Sequence, residues 1–295
     1  MSDSLRDSGD VVVPFLLENL SVRGALIQLQ RTWARMQLGH NYNGPLTGIL
    51  GEAAAATGLI AQSLKFDGKI TLQISGDGPL SMLVMQSTDN LELRGMVSAP
   101  DVADDVGYAQ LVGNSRCAIT VGMSSMEQPY QGIVQMLGET LGESFENYFS
   151  RSAQIESHMV LVADDLVCGG ILLQQMPEQG TPVADDWHRL ALLAATLRTS
   201  DFSPGIGAPL VGRLFAQDDV RVFAARPVVF RCGCSRERAE EVLGLLGESD
   251  TRDACAQQGR VDVICEFCGQ KQSFDAVDIS RIFSDQSLQG SDTVH

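Results

Sequence analysis

Five of the chain's seven cysteines fall in its last 64 residues, four of them as two close pairs, Cys232-Gly-Cys234 and Cys265-Glu-Phe-Cys268, with 30 residues between them. Each pair presents two sulfurs from a single turn, so the two turns can converge on one tetrahedral ion. Zinc favours such a thiolate set, with Zn–S bonds of about 2.3 Å. The same sulfurs can instead oxidise to two local disulfides. The site is therefore either a structural clip or a redox switch. An all-cysteine set offers no open position for a catalytic water, which argues against zinc hydrolase chemistry. Arg231, Arg236 and Arg238 flank the first pair and Lys271 follows the second, and such charges favour thiolate over thiol.

The elements that must position these sulfurs belong to a small module, residues 228–295. A module of that size buries too little apolar surface to be secure alone. Structural zinc contributes on the order of 10–16 kcal/mol in small peptides at neutral pH. Whole domains are stable by only about 5–15 kcal/mol. Loss of the ion is thus expected to unfold the module and anything docked on it.

Ahead of the module the pattern is mixed. Residues 11–30 form two β-rich segments about the turn-prone Glu18-Asn19. Leu46, Ile49, Leu50, Ala53, Thr57, Ile60 and Leu64 recur at helical spacing and predict a long, largely buried helix over 45–64. Strands are predicted at 70–74, 80–85 and 91–97, with Gly76-Asp-Gly-Pro79 as the first turn, and again at 117–121 and 133–137. A helix over 139–152 carries Phe145, Tyr148 and Phe149 on its apolar side, and two further strands lie within 156–175 about Asp164-Asp165. The fold class is α+β: a mixed sheet-and-helix core over 1–176. The run Met176-Pro-Glu-Gln-Gly-Thr-Pro182 marks a boundary. Residues 177–227, with helical patches at 185–198 and 209–215, are expected to be a helical linker that folds conditionally.

Composition narrows the partners. The chain has 37 acidic against 21 basic side chains, a net charge of −16, which disfavours nonspecific binding to nucleic acid or anionic membranes. Residues 232–295 alone hold 6 basic and 12 acidic groups, against a nucleic-acid role for the cysteine module. The polar opening residues and the short apolar stretch 11–17 do not form a secretory signal. The cytoplasm, where thiols stay reduced, is the expected compartment.

The segments Phe230-Arg-Cys-Gly-Cys-Ser-Arg-Glu-Arg238 and Cys265-Glu-Phe-Cys-Gly269 together closely resemble the signature of the redox-regulated heat-shock chaperones, the 33-kDa chaperonins. Gly76-Asp-Gly-Pro-Leu80, Leu93-Arg-Gly95, Gly169-Gly-Ile-Leu-Leu-Gln174 and Leu214-Phe-Ala-Gln-Asp-Asp-Val-Arg-Val222 are similar in the same order along the chain. The resemblance implies an ATP-independent holdase and no enzyme. Cys232, Cys234, Cys265 and Cys268 would hold one Zn2+ per chain in the reduced, inactive state. Oxidation would form Cys232–Cys234 and Cys265–Cys268 disulfides and release the ion. Module and linker would then unfold and expose apolar surface to unfolding client proteins, the active form being a homodimer.

Two other classes compete. A thiol–disulfide oxidoreductase would use Cys265 and Cys268 catalytically, but the pair has no thioredoxin-type context. A constitutive adaptor would keep purely structural zinc. Cys255, between the pairs, is read as a bystander, although a resolving thiol would also fit there. Cys117 and Cys168, in apolar strand-like contexts, are read as buried small hydrophobes. The histidines, His40, His158, His188 and His295, occur singly and are assigned structural or surface roles.

Overall fold

The computed structural model describes residues 9–100, 102–123, 128–176, 184–202 and 207–289. The chain divides into two compact units, Met1–Arg231 and Cys232–His295. This division falls four residues beyond the boundary read at 228. The boundary run from residue 177 to 182 and His295 lie outside the described residues.

In the first unit the elements are β1 (Val11–Leu17), β2 (Val22–Leu29), α1 (Arg31–Gln37), α2 (Gly44–Ser63), β3 (Gly68–Ser75), β4 (Met82–Thr88) and β5 (Glu92–Ser98). They continue with α3 (Tyr108–Val112), β6 (Arg116–Met123), β7 (Tyr130–Gln135), α4 (Leu141–Tyr148), a π-helical turn (Phe149–Ala153), β8 (Ser157–Ala163) and β9 (Cys168–Gln175). After these come α5 (Ala184–Ala194), α6 (Gly207–Leu214), β10 (Val220–Val222), β11 (Arg226–Pro227) and β12 (Val229–Phe230). One sheet runs β10-β1-β2-β9-β8, with β11 also on β1; the other runs β12-β5-β4-β3-β6-β7. All pairs are antiparallel except β12 on β5.

Helix α2 explains the layering. Asn43 caps it by accepting the Leu46 N–H, and Pro45 stands in its first turn, where no amide donor is required. It is buried all round, from Leu46 to Ala61, because both sheets close on it. Its small residues permit that approach: a Cβ on Gly51 would lie 2.6 Å from that of Ala163. The main core joins Leu50, Leu59, Ile27, Leu72, Leu83 and Leu93 across this sandwich.

A second cluster fills the other face of the first sheet. Leu190, Leu197, Phe202, Leu210, Val211 and Phe215, from the segment read as a linker, pack on Phe15, Leu26, Ile171 and Leu173. That double cover is why β9 is buried along seven of its eight residues. The chain is then stitched into both sheets: β11 pairs with β1, the Val228 N–H donates to the Asp10 carbonyl, and β12 pairs with β5.

The second unit comprises α7 (Arg236–Leu246), α8 (Glu248–Gln258), the hairpin β13 (Val261–Ile264) and β14 (Lys271–Phe274), and α9 (Ala276–Gln289). Its buried core is small: Ala239, Leu243, Cys255, Phe274, Ile279 and Ile282. No helix among the described residues is long and apolar enough to cross a membrane.

Candidate metal centre

Cys232 and Cys234 stand on the loop that leads into α7. Ser235 ends that loop as the helix cap, its hydroxyl accepting the Arg238 N–H at 3.3 Å, the role for which serine is favoured. The Arg238 guanidinium turns back to donate to the Gly233 carbonyl, so the helix holds the loop from which the sulfurs project. Cys265 and Cys268 occupy the tight connection between β13 and β14. There Cys265 N–H donates to the Gln270 carbonyl at 2.9 Å and Gly269 N–H to the Cys265 carbonyl at 2.8 Å. Gly269 has φ of +67°, a conformation glycine adopts without a Cβ clash.

The two turns meet. All four sulfurs lie within 4.8 Å of one another. Sulfurs from opposite turns approach to 3.6 Å between Cys232 and Cys265 and to 3.4 Å between Cys234 and Cys268. A tetrahedron of ~2.3 Å Zn–S bonds has an edge of ~3.8 Å, so the cluster is of the right size for an ion at its centre.

Its electrostatics agree. At Cys232 burial opposes ionisation, but the Cys234 backbone N–H and the neighbouring thiols outweigh it and hold this thiol below its ordinary value. Burial, then the Cys268 and Cys232 sulfurs, push the Cys234 thiol far up, and burial raises Cys268 as well. Such a cluster accepts one negative charge and resists the next. A cation coordinated by the sulfurs removes that resistance, so four close cysteines of this kind can bind a metal ion.

The surrounding cations differ from the sequence expectation. Lys271 pairs with Asp262 at 2.5 Å. Arg236 pairs with Asp278 at 2.8 Å and lies 4.4 Å from the Phe274 ring centroid, joining α7 to β14 and α9. Arg231 pairs with Glu92. Only Arg238 of the four reaches the sulfur-bearing loops, and it does so through a carbonyl. Gln270 was not anticipated: its Oε1 lies 3.4 Å from the Cys234 sulfur, and nothing in a glutamine two residues past a CxxC signals that contact.

The other candidates stay apart from the cluster. Cys255 is buried on α8. Cys117 and Cys168 are buried in β6 and β9; burial pushes the first thiol up to about 12 and the second well above its ordinary value, so burial disfavours the thiolate at both. His40 stacks on Tyr42 and His158 pairs with Glu146 at 3.0 Å, structural contacts in each case.

A sequence profile of the family described as Hsp33 protein matches residues 10–275. The chain belongs to the Hsp33 family. Its similarity extends to the 33 kDa chaperonin of Nitrosococcus oceani, 38% identical over 92% of this chain and 93% of that protein. The 33 kDa chaperonin of Methylobacillus flagellatus is 36% identical over 95% and 97%. Among solved structures, the Thermotoga maritima 33 kDa chaperonin superposes with a TM-score of 0.76 at 21% identity, over 95% of this chain and 99% of that one. That likeness shows a shared fold. Membership of the Hsp33 family makes this chain a chaperone, with unfolded proteins as its class of partner, and bears out the resemblance read in the cysteine segments. The mixed α+β architecture is likewise as expected.

Proposed function

We propose that this Hsp33 protein is a redox-regulated, ATP-independent holdase of the cytoplasm. Cys232, Cys234, Cys265 and Cys268 hold one Zn2+ in the reduced, inactive form. The observation that carries this reading is the convergence of the four sulfurs within 4.8 Å in a unit with, among the described residues, six buried hydrophobic core side chains. An ion there supplies the charge neutralisation and crosslinking that such a core lacks.

Oxidation removes the donor set. Each pair, Cys232 with Cys234 and Cys265 with Cys268, forms one S–S bond as one peroxide is reduced to two waters, consuming the two thiolates' electrons and two protons. Disulfide sulfurs bind zinc weakly, so the crosslink is lost with the thiolates. The unit then unfolds, the linker over 177–227 loosens from the core over 1–176, and the exposed apolar surface captures unfolding clients as a homodimer.

The placement of Cys265 and Cys268 on a hairpin connection supports this reading over a thiol–disulfide oxidoreductase, whose pair gains its acidity at a helix start. The test is light scattering of a heat-unfolding client mixed with zinc-loaded reduced protein or with protein pretreated with warm peroxide. Suppression by the oxidised sample alone is expected. Equal suppression by both would leave a constitutive chaperone with structural zinc, and suppression by neither would remove the holdase reading.

A further inference from the structure

Two adjoining cavities of about 260 Å3 each open beside the end of α2, in the first unit. They share Arg23, Ser63, Leu64, Lys65 and Gln174. One is bounded by β1, β2 and the last turn of α2. The other runs inward along β6 to the π-helical turn, between Ile119, Val121, Phe149 and Ile155, and its lining is predominantly apolar. Ligand sites in proteins occupy roughly 300–1,000 Å3 and combine an apolar body with a few placed polar groups; the pair together meets that description.

Charge identifies the ligand. The chain carries 37 acidic side chains, yet among the described residues no Asp or Glu lines either cavity, while Arg23 and Lys65 line both. Arg23 donates through Nε and Nη2 to Gln174 Oε1, at 3.2 and 2.8 Å, and Gln174 is itself held by donating to Ser157 Oγ at 3.1 Å. That fixes one edge of the guanidinium of a residue that lines both cavities. Among the described residues neither Arg23 nor Lys65 forms an ion pair.

We propose that the two cavities form one binding site for a small single-chain amphiphile with a carboxylate head, the head between Arg23 and Lys65 and the alkyl chain along Ile119, Val121 and Phe149. The π-helical turn shapes the far wall, with Ala153 lining it. All of the lining residues belong to the first unit.

Calorimetric titration of the full-length, zinc-loaded reduced protein with decanoate, below its micelle concentration, tests this. Saturable one-to-one binding is expected, weakening by about fourfold for each buried methylene removed, so hexanoate, four methylenes shorter, binds about 250-fold less tightly. The double variant Arg23→Gln/Lys65→Gln weakens decanoate by about three- to tenfold and leaves decanol binding unchanged. Ala153→Phe, at an exposed position, fills the inner cavity and abolishes binding with the circular dichroism unaltered. Absence of saturable decanoate binding, equal binding of decanol, or indifference to both variants would each overturn the proposal.

Discussion

Cys232 and Cys255 carry the same side chain and differ in what surrounds it. Cys232 lies among three other sulfurs beside a backbone N–H that favours its thiolate; Cys255 is packed with Leu243 and Ile279. Cys232→Ser or Cys268→Ser is therefore expected to abolish tight zinc binding in metal analysis of reduced protein. Cys255→Ala should keep full zinc content and cost about 1 kcal/mol of stability; zinc loss there would mean the ligands are misassigned. The convergence of the four sulfurs was legible in the sequence because each pair is local and fixed by its own turn. The contact of Gln270 with Cys234 and the spending of Arg236 on Asp278 were not, since both depend on how two turns and three helices meet. Glu52 was also invisible as a titrating group. Its place on α2 between the sheets raises its carboxyl to about 7 through desolvation. An acid whose folded pKa exceeds its unfolded value of 4.5 costs stability as pH rises from about 4.5 to about 7, and the cost is constant above that. Glu52→Gln should thus stabilise the protein by about 1–3 kcal/mol at pH 8 and by little near pH 4.5, read from paired urea titrations. A gain independent of pH would assign the effect to packing.

Among the elements, α2 was readable to within a residue at each end, observed at Gly44–Ser63 where 45–64 was predicted, because period and length concur. Strand β7 was displaced, observed at Tyr130–Gln135 against 133–137. Its register is set by pairing with β6, and its outward Tyr130 and Ile133 are exposed, so apolar residues alone misplace it. Helix α1 escaped sequence reading because its start signal comes from elsewhere. The buried Asp10 carboxylate, ahead of β1, accepts the N–H groups of Gln30, Arg31 and Thr32 at 2.6, 3.1 and 2.5 Å. This cap docks α1 so that Trp33 is buried and donates to the Asp164 carbonyl at 2.7 Å. Asp10→Ala would leave three amides of the first turn without their acceptor. A loss of about 2–3 kcal/mol is expected, measured as a lower urea midpoint at unchanged slope, and Asp10→Asn should recover part of it. A neutral Asp10→Ala would show that water replaces the carboxylate.

At the scale of the whole molecule the two units differ in what can hold them. The first buries α2 between two six-stranded sheets and packs a further layer on the outer face. Among the described residues the second has six buried hydrophobic side chains, one hairpin and three helices, with surface ion pairs such as Arg281 with Glu240 and Arg252 with Glu248 that are each worth at most about 1 kcal/mol. Burial on that scale does not offset the conformational entropy of ordering some sixty residues, at ~1.5 kcal/mol per residue. Under the proposed metal reading, the missing stability resides in the four-sulfur centre. Chelation of zinc under reducing conditions should then abolish hydrogen-exchange protection in α7, α8, β13, β14 and the start of α9, while amides of β1 to β9 exchange as slowly as before. Because chelation leaves the cysteines reduced, the experiment separates loss of the crosslink from disulfide formation. Retained protection in the second unit would show that its small core suffices and that the cysteines serve another end. Loss of protection in both units would show that the stitches of β11 and β12 transmit unfolding into the sheets, making the core's stability itself dependent on the metal.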